Sequence, residues 1–133
     1  MMELTRKGEY AVRGIIYLAK QEPGKMVLIS EIAEATNAPQ MFLAKIFQGF
    51  AKMGLVNSFR GTGGGFMLGR HPSKITLKQV VEAVDGPITP NRCLIDSMSC
   101  ERESGCNVHP VWKEVQIRIS EILDAVTLEE LAR

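Results

Sequence analysis

A chain of 133 residues, 45% hydrophobic and 23% charged, has the composition of one ordinary globular domain, long enough to bury a core and too short for a second, catalytic one. No apolar run approaches the roughly 18 residues of a membrane span, and the opening MMELTRKGEY lacks the apolar centre of a signal peptide, so a cytoplasmic protein without a membrane partner is expected. The net charge of +1 hides an asymmetry: residues 1–70 hold nine Lys and Arg against five Asp and Glu, and residues 71–133 hold seven against ten, which suits the N-terminal half to phosphates.

Residues 5–20 read as a first helix, with Thr5 as N-cap and Ala11, Val12, Ile15, Leu18 and Ala19 at helical spacing. Gly8 and Gly14 each cost such a helix roughly 1 kcal/mol relative to Ala, which predicts close approach of another backbone or a ligand. After a turn at Glu22, Pro23 and Gly24, Ser30 can cap a short helix over 31–36. Asn37 and Ala38 then turn the chain, and Pro39 suits the first position of a third helix reaching about Met53 and closed by Gly54. In that helix Leu43, Ile46, Phe47, Phe50 and Met53 share a core face, while Met41, Ala44, Lys45, Gln48 and Lys52 share the opposite arc.

The runs LVNSFR and FMLGR on either side of GTGGG predict a β-hairpin. Helix-turn-helix over about 29–53 and hairpin over about 55–69 together give a winged helix-turn-helix: mainly α, with a small β-hairpin wing and a long C-terminal helix. A fourth helix starts on a capping box, Thr76 with Gln79, and a staple, Ile75 with Val80. It buries Leu77, Val80, Val81 and Val84 and stops at Gly86 and Pro87. Periodicity then vanishes until Pro110 opens a last helix, in which Trp112, Val115, Ile119, Ile122 and Val126 form a short heptad seam suited either to the chain's own domain or to a dimer. Thr127 with Glu130 can cap a final turn.

The glycine run 61–65 is not a nucleotide cradle, because Phe66 stands where the dinucleotide fingerprint needs Gly and the Lys-Ser/Thr of a Walker loop is absent. As a wing tip, Thr62 and Gly63 let the backbone approach phosphates or the minor groove, with Arg60 supplying charge at its base. On the third helix Lys45 and Gln48 can reach base edges or phosphates, and Met41 and Ala44 can meet thymine methyls. No nucleophile-base pair suggests an enzyme, and His71 beside Pro72 reads as a loop residue.

Cys93, Cys100, Cys106 and His109 gather four soft or borderline metal ligands in one segment. An odd cysteine count in a reducing compartment argues against a structural disulfide. Zinc sites favour two close-spaced ligand pairs, whereas only Cys106 and His109 are close here; the wider loops suit the larger iron–sulphur cluster. Three thiolates leave such a cluster anionic, and His109 with Pro110 would set that charge at a helix N-terminus. Zinc and three free thiols remain alternatives.

The stretches LTRKGEYAVRGIIYLA, ISEIAEATNAPQMFLAKIF, GLVNSFRGTGGGFMLGR and ITLKQVVEAVDG, with the cysteine segment after them, resemble the Rrf2 family of bacterial winged-helix regulators, the wing most specifically. The resemblance implies a DNA-binding domain over 1–86, a cluster-binding loop over 87–110 and a dimerisation helix over 111–133. It implies a homodimeric repressor on a palindromic double-stranded operator, sensing iron–sulphur status, redox state or nitric oxide through the cluster. Met41, Ala44 and Arg60 match family positions that touch DNA, and Cys93, Cys100 and Cys106 match the cluster cysteines. His109 matches the fourth ligand of IscR-type members and favours a 2Fe-2S cluster, whereas Glu9 of the partner subunit, as in NsrR-type members, would favour 4Fe-4S. Two departures stand out: the first cysteine gap is six residues where five is common, and Ala44 replaces a Glu of some relatives. The rival is a cluster-free or zinc-stabilised regulator controlled by thiol oxidation or a partner protein.

Overall fold

Thr5 opens the chain's first helix as its hydroxyl chemistry predicts: its Oγ1 accepts from the Gly8 N–H at 2.9 Å and donates to Asp85 Oδ1 at 2.6 Å. The computed structural model describes residues 5–61, 64–89 and 107–133. Within them the order is α1 (Arg6–Ala19), α2 (Ile29–Thr36), α3 (Gln40–Lys52), β1 (Val56–Phe59), β2 (Gly65–Leu68), a 3-10 turn (Pro72–Lys74), α4 (Leu77–Asp85), α5 (His109–Asp124) and α6 (Leu128–Leu131). The mainly helical fold with a two-stranded hairpin is the winged helix-turn-helix expected.

α1 packs on α2, α3 and α4 around one core. Leu43, Ile46, Phe47 and Phe50 are buried on the inner face of α3, as the periodicity predicts. Met53 is not: it is the helix C-cap and stays 59% exposed, because the chain reverses there before its side chain reaches the core. Gly54 takes φ +78° and completes a Schellman ending, with Gly54 N–H bonded to Ala51 O and Leu55 N–H to Phe50 O.

Two helix starts differ from expectation. Leu28, not Ser30, caps α2, since its carbonyl already accepts from Glu31 and Ile32 and so places Ser30 inside the first turn. Pro39 is the N-cap of α3 rather than its first residue: its ψ of 127° is extended and its carbonyl accepts from Leu43 N–H. The connection between the helices is made by Asn37, left-handed at φ 54°.

In the wing Val56 pairs with Leu68 and Phe59 with Gly65. Val27, from the loop after α1, adds a one-residue rung on the other side of β2 through two 2.8 Å hydrogen bonds with Phe66. This crowding explains the glycines better than flexibility does. A Cβ on Gly65 would collide with the Val27 carbonyl, and one on Gly64 would lie 2.5 Å from Phe59 O.

The α4 capping box forms in full, and its staple residues Ile75 and Val80 are both buried. Of the predicted stripe only Val80 is fully buried; Leu77, Val81 and Val84 are half-buried on a helix that α5 also packs against. α5 ends at Asp124, so Val126 does not continue the seam. The chain turns back instead: Leu77 N–H bonds to Val126 O, Leu128 N–H bonds to Ile75 O, each at 2.9 Å, and Leu128 is fully buried. Thr127 caps α6 by accepting from Glu130 N–H, as its sequence position predicts.

Gly14 and Gly49 make a paired test of helix packing. A Cβ on Gly14 would sit 2.9 Å from Phe47 Cε1, whereas one on Gly49 would meet nothing within 4 Å. Gly14→Ala is expected to lower stability by about 1–2 kcal/mol net, overpacking exceeding the gain in helix propensity, and Gly49→Ala to raise it by about 1 kcal/mol. Denaturant unfolding of the two variants should therefore move in opposite directions.

Candidate nucleic-acid interface

Helix ends separate this molecule into two kinds of element. α1, α4 and α6 each start on a Thr whose side chain accepts a backbone N–H, while α2 starts on Leu28, α3 on Pro39 and α5 on Val108, none with a side-chain cap. The first-turn N–H groups of the helix-turn-helix pair thus retain donor capacity, and with the helix dipole they suit phosphate oxygens.

α3 contains no Asp or Glu. Its outer arc presents Met41, 82% exposed, with exposed Lys45, Gln48 and Lys52, and Ala44 half-buried at one flank. Met41 to Lys52 covers about 16 Å along the axis, enough to lie across a major groove about 12 Å wide. Arg60 is exposed where β1 ends. Thr62 and Gly63, expected at the wing tip, lie outside the described residues.

Three residues that sequence reading passes over hold this face in place. Tyr17 Oη donates to Glu31 Oε2 at 2.6 Å, fastening α1 to α2. Arg70 Nη2 donates to Met53 O at 3.4 Å, a weak bond from the end of the wing to the end of α3. Tyr17 and Glu31 stand on different helices, so no local pattern pairs them; an unexplained Tyr beside the apolar stripe was the only signal.

The proposed ligand set divides. Cys93, Cys100 and Cys106 lie outside the described residues. His109 is the first residue of α5 and half-buried, and Glu9 is exposed in the first turn of α1. Among the described residues no three His, Cys, Asp or Glu side chains gather around a metal-sized space. His71 accepts from Ser73 N–H and caps the 3-10 turn, the loop role expected of it. No helix among the described residues is long and apolar enough to cross a membrane.

A family model, Rrf2, described as iron-dependent transcriptional regulator, matches residues 4–133. The chain belongs to the Rrf2 family. It is 34% identical over 132 residues to the HTH-type transcriptional regulator IscR of Xenorhabdus nematophila, covering 99% of this chain and 80% of that one. IscR of Sodalis glossinidius is 36% identical over 130 residues, with 98% and 78% covered. Among solved structures, CymR (YrzC), the global cysteine regulator of B. subtilis, superposes with a TM-score of 0.80 at 31% identity, over 99% of this chain and 97% of that one. IscR of T. potens gives 0.73 at 27%, over 97% and 85%. This Rrf2-family protein is thus an IscR-like transcription regulator, and its relatives are regulators rather than enzymes.

The Tyr17 phenol is raised above its ordinary 10.0, first by its hydrogen bond to Glu31 and then by burial. Folding favours its neutral form, so the stabilisation is complete below about pH 10 and is lost as pH rises through the raised value. Tyr17→Phe is expected to cost about 1 kcal/mol at neutral pH. It should also flatten the alkaline limb of the stability curve, which urea unfolding between pH 8 and about 11 would show.

Proposed function

We propose that this protein is a homodimeric repressor that binds a palindromic operator and senses iron–sulphur status, redox state or nitric oxide through an iron–sulphur cluster. The observation that carries the DNA half is the outer arc of α3: acid-free, cationic and projecting from a pair of helices with uncapped N-termini. Lys45 and Gln48 are assigned to phosphates and base edges, Met41 and Ala44 to base edges, and Arg60 with Thr62 and Gly63 to the adjacent minor groove.

Dimerisation is supported by α5, which buries no residue completely within one chain and leaves Val111 56%, Ile117 49% and Ile122 65% exposed. Isolated apolar residues are ordinary on a surface, but Val111 and Ile122, about 20° apart around the helix, share a face that suits a partner helix. Two-fold symmetry in the protein would be mirrored in the operator.

The cluster half rests on donor chemistry. Three cysteines and His109 offer thiolate and imidazole, the ligands iron–sulphur centres take, and the residues present fit such a group. Val108, at the N-cap of α5, has no side-chain acceptor, which leaves the helix start suited to an anion. A bound cluster would supply one-electron redox chemistry and negative charge. His109 favours the 2Fe-2S form; Glu9 of the partner subunit as fourth ligand would favour 4Fe-4S.

A second reading, a cluster-free or zinc-stabilised regulator controlled by thiol oxidation or a partner protein, is favoured by the likeness to CymR. The oxidized form of Staphylococcus aureus CymR is likewise similar, 25% identical with a TM-score of 0.78.

Two experiments test these halves apart. Lys45→Ala and Arg60→Ala should each weaken DNA binding and lower the slope of log affinity against log salt by about 0.9, read by fluorescence anisotropy. Unchanged slopes would remove those residues from the interface. Anaerobic reconstitution should yield a coloured protein with stoichiometric iron and sulphide, and His109→Ala should change its Mössbauer spectrum while Glu9→Ala does not. The converse pattern assigns the fourth ligand to Glu9, and a colourless, iron-free product favours the thiol reading.

A further inference from the structure

The outer arc of α3 changes chemistry along its length. Lys45, Gln48 and Lys52 are hydrogen-bonding groups, but the N-terminal end offers Met41 and, one turn on, Ala44. Met41 is 82% exposed, above every other large hydrophobic side chain described, the next being Ile122 at 65%. It lies outside the core cluster and outside the set of side chains packed against it.

Base chemistry narrows what such a surface can read. In the major groove adenine, guanine and cytosine present only donors and acceptors, whereas thymine adds an apolar C5 methyl group. A thioether and a methyl cannot satisfy N7, O6 or an amino group, and pressing them against those edges strips water without return. Cytosine is commonly read by a carboxylate accepting from its amino group, and α3 contains none. Met41 and Ala44 are three residues apart, about 4.5 Å along the axis, close to the spacing of neighbouring base pairs.

We infer that Met41 and Ala44 are specificity-determining residues that select thymine in each operator half-site by its C5 methyl group. The inference rests on the DNA-binding reading above and narrows it to a ligand class: half-sites with thymine facing the N-terminal end of α3. Lys45 and Gln48, further along the same arc, supply the polar contacts that set register.

The test starts from a random-sequence duplex library selected on the full-length protein. Each thymine of the selected half-site is then replaced singly by uracil, which removes only the methyl group. Uracil should cost about four-fold in affinity at one or two positions, the worth of one buried carbon. The same positions should respond in both half-sites. Met41→Ala should abolish the thymine–uracil difference at one of those positions, and Met41→Leu should keep it. Uracil without effect at every position, or an effect undiminished in a Met41→Ala, Ala44→Gly double variant, would overturn the inference while leaving sequence-specific DNA binding intact. A library in which no sequence is enriched would remove the DNA reading itself, and this inference with it.

Discussion

Phe47 is the side chain on which the arrangement of this molecule depends. Its fully buried ring meets Phe50 edge-on at 5.3 Å and Phe66 of the wing at 5.2 Å, and it lies against the bare backbone of Gly14 in α1. One residue therefore joins α1, α3 and the hairpin. Burying such a ring contributes roughly 1.5–3 kcal/mol, more than any surface polar contact near it. The angle between α3 and the wing is thus set from inside, which leaves the outer arc of α3 free to carry residues chosen for what they touch outside the molecule.

The pattern of helix caps follows the same division. A Thr cap adds about 1 kcal/mol, and the chain uses one at α1, α4 and α6, where the helix start faces its own protein. At α2 and α3, as also at α5 with Val108, it forgoes that stabilisation, placing Leu28 and Pro39 at the first two. Those helices are kept in place by tertiary contacts: Ile32 and Ala33 in the core, the Tyr17–Glu31 hydrogen bond, and the inner face of α3.

Much of this was legible in the sequence wherever the cause is local. The Thr76–Gln79 box, the Gly54 ending and the core face of α3 each follow from residues within a turn or two of one another. Ser30 and Pro39 were each misplaced within a helix start, by two positions and by one, because neighbouring residues could serve and only the carbonyl bonding decides. Non-local causes were less visible. The glycine run reads as a wing tip, yet at Gly64 and Gly65 it is backbone crowding from Phe59 and Val27 that requires glycine, and nothing near Tyr17 in sequence announces Glu31. On the outer arc the composition was readable at once, since exposure on a helix follows from its period alone. The proposed cysteine ligands are legible only as spacing, because Cys93, Cys100 and Cys106 lie outside the described residues.

The folded-back C-terminus bears on how the proposed sensing segment could act on the proposed DNA face. α5 runs sixteen residues, about 24 Å, from His109 to Asp124. Its far end is fastened to the winged-helix core: Thr76 donates to Asp124 at 3.2 Å, the Thr76–Thr127 bridge follows, and Leu128 is fully buried on α6, which packs on α1 and the 3-10 turn. Nearer its start, Gln116 donates to Ile88 O at 3.1 Å. A change of ligand state at His109 can shift DNA affinity only as far as the two ligand states differ in free energy between DNA-competent and incompetent arrangements. A helix clasped at one end and joined at the other to the proposed ligand-binding segment would give that difference a mechanical path, through the bridge that holds Ile75 and the start of α4. Whatever the ligand, the clasp makes the position of α5 a property of the winged-helix core.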